Sequence, residues 1–145
     1  MVQVSQGIVV LGHGSSSEVG EANDFLVALA GMVREKTGAR LIETAYLNRR
    51  SQRQGLKEAV EKLVAHGVKK IVVAPVFLTC GQHVQRDIPE EIEDLKKAYG
   101  GEVDIRMAPC IGADPRLAEI VVERIEEVAG SEIFNRPAGN REGKF

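Results

Sequence analysis

Apolar residues follow two alternating rhythms along the chain. Gly7 to Leu11 (GIVVL) is a short unbroken run rich in β-branched residues. Lys70 to Leu78 (KIVVAPVFL) is the most apolar run in the chain, and Arg40 to Leu47 (RLIETAYL) and Val103 to Ala108 are two more segments of strand length. Such runs, bounded by glycine, predict strands buried on both faces. Between them the spacing turns helical. Phe25, Leu26, Leu29, Met32 and Val33 predict a helix from about Glu18 to Lys36, and Leu56, Val60, Leu63 and Val64 predict one from Leu56 to Ala65. A third is expected over Ile88 to Tyr99, with Pro89 in its first turn, and a fourth over Leu117 to Val128. The order β-α-β-α-β-α-β-α implies an α/β fold: a four-stranded parallel sheet flanked by helices on both faces, a flavodoxin-like three-layer sandwich. Residues 1–130 are expected to form a single domain. Residues 131–145 are polar, have no clear period and read as a C-terminal tail.

Open parallel sheets bind ligands outside the carboxyl ends of their strands, so the loops leaving that edge are where chemistry is sought. The first carries His13, the second Asn48, Arg49, Arg50 and Arg53, the third Cys80, Gln82 and His83, and the fourth Cys110 and Asp114. Of the three histidines only His66 falls at the opposite edge, where it reads as a solvated helix cap. His13 stands between Gly12 and Gly14, which frees its imidazole and lets a ligand approach the backbone. Read alone, it serves either a ligand or a tight turn. His83 likewise reads either as a ligand group or as a loop histidine packed on the next helix. Two imidazoles above one sheet edge suit a borderline divalent ion such as cobalt, nickel, iron or zinc, whereas magnesium would want carboxylates and carbonyls.

Composition narrows the alternatives. The formal net charge of −2 argues against a nucleic-acid partner, which would call for a basic stripe. No apolar run approaches the roughly 18 residues of a membrane span, so no membrane partner is expected. The opening MVQVSQGIVVLGHG has no basic stretch before its apolar run and reads as a strand rather than a signal peptide. Two cysteines are too few for a disulfide scaffold, which makes a cytoplasmic location the default and Cys80 and Cys110 buried structural residues. Arg49, Arg50 and Arg53 oppose the dipole of the helix they precede. They are either a solvated charge run or a cradle for a polyanion.

The chain resembles the sirohydrochlorin chelatases, the class II chelatases of siroheme, cobalamin and nickel-tetrapyrrole synthesis. The resemblance covers Gly7 to about Val128. It rests on IVVLGHGS at 8–15, KKIVVAPVFLTCGQHVQRDIPEEI at 69–92 and APCIGADPRLAEIVVERI at 108–125. The buried strand followed by G-x-H-V-x-x-D-I-P is its most specific part. It implies a short-form, chelatase-like domain that works as a homodimer and inserts a divalent metal into sirohydrochlorin. That metal, cobalt in the first place and iron or nickel as alternatives, is a substrate, and no permanently bound cofactor is expected. His13 is implied as proton acceptor and metal ligand and His83 as the second ligand. Phe77, Leu78, Thr79, Cys80, Gly81 and Gln82, with Asn48, would line the substrate. The macrocycle's carboxylates give the arginine cluster a use. One departure stands out: an acidic residue usual after the second strand is replaced here by Asn48, in a slightly longer loop, so no second carboxylate assists deprotonation.

Both imidazoles must be neutral to act, so activity is expected to fall as pH drops through the ordinary imidazole range. A histidine phosphatase also carries His-Gly after its first strand, but with arginine before it, where this chain has Gly12. A phosphoacceptor receiver would want aspartates where the first strand ends Leu11-Gly12-His13. A tetrapyrrole or metal carrier without turnover would use the same histidines and is the main alternative.

Overall fold

The computed structural model describes residues 6–14, 21–47 and 53–130. The elements are β1 (Gln6–Gly12), α1 (Glu21–Thr37), β2 (Ile42–Tyr46), α2 (Leu56–Ala65), β3 (Lys70–Pro75), α3 (Gln82–Ala98), β4 (Asp104–Met107) and α4 (Pro115–Ala129). All strand pairs are parallel, in the order β2-β1-β3-β4. Ile8 pairs with Ile42 on one side and with Val72 on the other, and Lys70 of β3 pairs with Asp104 of β4. The expected α/β sheet is therefore present, with β1 and β3 at its centre.

Handedness explains the layers. A right-handed crossover from β1 to β2 runs one way along the sheet, while those from β2 to β3 and from β3 to β4 run the other way. The first helix must then lie on one face and the next two on the opposite face. Side chains alternate along β1 accordingly. Val9 and Leu11 enter the larger core with Leu56, Val60 and Leu63 of α2 and Ile88, Ile92 and Leu95 of α3. Val10 faces the other way, into a smaller cluster with Leu26 and Ala30 of α1 and Tyr46 of β2.

Several boundaries differ from the sequence reading. Helix α3 starts at Gln82, not near Ile88. Gly81 is its extended N-cap, and the Gln85 N–H closes the first turn on the Gly81 carbonyl at 3.0 Å. The half-buried Val84 continues the stripe of Ile88, Ile92 and Leu95 one turn earlier. Pro89 is thus inside the helix, where it cannot donate to the Gln85 carbonyl. Strand β3 ends at Pro75 rather than Leu78: the ladder to β1 closes with the Val76 N–H donating to the Leu11 carbonyl at 2.8 Å, and Val76 to Leu78 lie beyond the last paired residue. Strand β2 begins at Ile42, two residues after Arg40.

The chain divides into two compact units, Met1–Ile111 and Gly112–Phe145. Within the second, α4 opens on Asp114, whose carboxylate accepts the Arg116 N–H at 2.9 Å, with Pro115 at the first position. Both are strong helix-start residues. None of its residues is buried, and Ile120, Val121, Ile125 and Val128 are exposed. Among the described residues no helix is long and apolar enough to cross a membrane.

Candidate active site at the carboxyl edge of the sheet

The crossover out of β1 and the one out of β3 diverge to opposite faces, which opens a crevice above the ends of these two neighbouring strands. His13 follows β1 directly and is exposed. Its position depends on glycine on both sides. A Cβ on Gly12 would stand 2.9 Å from Leu26 Cδ2, so the strand end can approach α1 this closely only without a side chain. Gly14 has φ +83°, a left-handed turn that other residues adopt at a cost.

The loop after β3 meets His13. The rings of His13 and Phe77 lie edge to face, with centroids 5.5 Å apart and planes at 64°. Phe77 is buried, whereas Leu78, Thr79, Gly81 and Gln82 are exposed and Cys80 is half-buried. The loop after β4 is tied to the same segment. The Ile111 N–H donates to the Phe77 carbonyl at 3.0 Å. Cys80 and Cys110 are joined in a disulfide, with Cα atoms 5.8 Å apart. This corrects the expectation of two separate structural cysteines. The signal was in the sequence, since each cysteine follows the end of one of two strands by a few residues. What was missing was that β3 and β4 are neighbours.

His83 belongs to the first turn of α3 rather than to a loop, two residues after Gly81. Its backbone thus starts from the same sheet edge as His13, while its side chain lies outside the described residues. So do Asn48, Arg49 and Arg50. Arg53 is described and is no solvated charge: it is 8% exposed, and its guanidinium lies 5.9 Å from the centre of the Tyr46 ring. Tyr46 ends β2, and its N–H donates to the Gln54 carbonyl at 2.9 Å, closing the base of the loop between them. The Gln54 amide donates in turn to Glu43 Oε1 at 2.9 Å and to the Thr44 carbonyl at 2.8 Å. Sequence reasoning passed over Tyr46 because it reads as an ordinary strand residue. His66 is the exposed helix cap expected, with Nδ1 2.8 Å from the Lys62 carbonyl.

The chemistry available is a solvent-facing imidazole packed on Phe77, with the exposed Leu78 next in the chain. Among the described residues no group of three or more His, Cys, Asp or Glu could enclose a metal ion. In the fourth loop the Arg116 side chain and N–H hold the Asp114 carboxyl down to about 2, so Asp114 is committed to capping α4.

A family model described as CbiX matches residues 7–128. The sirohydrochlorin cobaltochelatase of Sulfurisphaera tokodaii is 34% identical over 125 residues, 86% of this chain and 95% of that protein. The chloroplastic sirohydrochlorin ferrochelatase of Arabidopsis thaliana is 33% identical over 122 residues, 84% of this chain and 52% of its own length. Among solved structures, the sirohydrochlorin chelatase SirB from Bacillus subtilis subspecies spizizenii, in complex with cobalt, superposes with a TM-score of 0.75 at 26% identity. It covers 86% of this chain and 51% of SirB.

Proposed function

Because the chain belongs to the CbiX family, we propose that it is a lyase that inserts a divalent metal into sirohydrochlorin. Cobalt is the first candidate metal, with iron or nickel as alternatives. The observation that carries the reading is an exposed His13 at the end of β1, packed edge to face on Phe77, with the start of α3 and His83 arising from the neighbouring strand. The macrocycle lies over Phe77 and Leu78, along the segment through Thr79, Cys80, Gly81 and Gln82. A neutral His13 accepts a pyrrole N–H proton while His83 holds the incoming ion. The ion then exchanges imidazole for pyrrole nitrogens. Two N–H protons leave for each metal dication that enters, so charge balances without a redox partner or a resident cofactor. Of the arginines expected to meet the macrocycle's carboxylates, Arg53 is buried against Tyr46, which leaves that role to Arg49 or Arg50, and Asn48 takes the place of an acid in the same loop.

The proposal extends to a homodimer in the cytoplasm, each chain one chelatase domain over residues 1–130 with 131–145 as a tail. The chain spans about half of the Bacillus and Arabidopsis proteins, and two copies would match their length. His13→Ala and His83→Ala are each expected to abolish the absorbance change of cobalt insertion into sirohydrochlorin while leaving the far-ultraviolet circular dichroism unchanged. Full activity in either variant sinks the assignment. A carrier would give one stoichiometric spectral change instead of repeated turnovers. Competition among the three metals, with Asn48→Glu beside the natural chain, ranks the candidates.

A further inference from the structure

We propose that Cys80 and Cys110 are a reversible oxidation site, a dithiol–disulfide couple that latches the segment from Phe77 to the start of α3 when oxidised. Their Cα separation of 5.8 Å is one a disulfide bridges without moving the backbone. Neither cysteine belongs to the buried cores; both are half-buried and only packed against the larger one. Partial exposure is what thiol–disulfide exchange needs, and it distinguishes the pair from a sealed structural bridge. In the reducing cytoplasm proposed above, disulfides that form are characteristically transient.

The position gives the bond its consequence. Cys80 lies three residues after Phe77, which touches His13, and three before His83. With the bond closed, this segment is tied to the loop after β4 by a covalent link. With it open, the hydrogen bonds that hold the segment among the described residues are the Ile111 N–H to the Phe77 carbonyl, the Gln85 side chain to the Cys80 carbonyl and the Gln85 N–H to the Gly81 carbonyl, each 3.0 Å. The next residue, Gly81, would have nothing within 4 Å of an added Cβ, so between Cys80 and the start of α3 packing at this residue does not replace the lost link. The open form also presents two soft sulfur donors beside a segment assigned to metal transfer, where they would hold an ion and slow its release. Closure removes both. The step balances: the two thiols give up two protons and two electrons to form the S–S bond. A small-molecule disulfide such as oxidised glutathione accepts them and leaves as two thiols.

The test needs no tetrapyrrole, so its outcome is independent of the chelatase reading. The full chain is equilibrated in glutathione buffers from reducing to oxidising, quenched in acid, alkylated with a maleimide and weighed. A single transition from two adducts to none is expected within the range that the glutathione couple spans. Hydrogen exchange of the peptide containing residues 77–84 is expected to slow at least tenfold on oxidation. Cys110→Ser under oxidising buffer should exchange like the reduced natural chain. Three results overturn the proposal: two adducts throughout, no adducts even in fully reduced glutathione, or equal exchange in the two redox states. The reduced natural chain serves as the comparison if the variant folds poorly.

Discussion

Replacing Gly12 with alanine tests whether the strand end that delivers His13 is fixed by steric contact with α1. Gly12 is outside the left-handed region, so alanine is conformationally acceptable there. By itself the change should stabilise by about 0.4–1 kcal/mol, through a less flexible unfolded chain. Opposing this, the new methyl would stand 2.9 Å from Leu26 Cδ2 and 3.3 Å from Cδ1. Ordinary carbon contacts are about 3.5–4.0 Å, so Leu26 must retreat by more than half an ångström. It has nowhere open to go: it is 2% exposed and clustered with Val10, Ala30 and Tyr46. Overpacking of this kind costs about 1–3 kcal/mol, which outweighs the entropic gain and leaves a net loss near 1.5 kcal/mol. At about 3–4 °C per kcal/mol for a chain of this length, Tm should fall by about 5 °C.

The decisive measurement is a double-mutant cycle followed by thermal melting. Leu26→Ala alone should cost about 2–5 kcal/mol by leaving a cavity. In the double variant the Gly12→Ala methyl enters that cavity, so its own penalty should vanish or reverse, giving a coupling of about 1–3 kcal/mol. Additive losses, or a Gly12→Ala chain that melts at or above the natural one, would refute the steric account.

Two further predictions concern helix ends and interiors. The Asp114 carboxyl is held at about 2 in the folded chain, below its ordinary range. Its contribution is therefore complete above the ordinary carboxylate pKa and is lost as pH falls from there through about 2. An NMR titration of the carboxyl carbon should find a midpoint near 2, and a midpoint near 4 would exclude the cap. Pro89→Ala restores a donor to the Gln85 carbonyl within α3 and should stabilise by about 1–3 kcal/mol in urea denaturation, whereas an unchanged midpoint would mean the helix bends without cost.

The sheet was legible because its strands carry β-branched runs, and the helices because their apolar stripes are regular; burial on both faces was not, since β3 alternates and Val72 is 44% exposed. Boundaries failed where a local signal competed with a longer one. Pro89 resembles a helix start, but Gly81 caps the real start and Val84 continues the stripe. Strand adjacency is not written in any local pattern, which is why the pairing of Cys80 with Cys110 escaped notice. Burial of Arg53 was hidden for a similar reason: a run of arginines reads as solvated unless the aromatic ring it meets is known, and Tyr46 is seven residues earlier on a different element. The exposed edge after β1 needed only strand order, and His13 is there.

The hydrogen bond from the Tyr46 N–H to the Gln54 carbonyl makes the segment between β2 and α2 a graftable cassette. Its two ends are pinned to each other, and the Leu47 N–H ties the first of them to the Gly12 carbonyl at 3.0 Å. Lengthening such a loop adds little closure entropy, about 0.6 kcal/mol for each doubling. Its length and charge between those fixed ends can therefore drift while the ends keep their hydrogen bonds. A protein built this way can renegotiate which peripheral groups it grips while the proton-accepting end of β1 stays where it is.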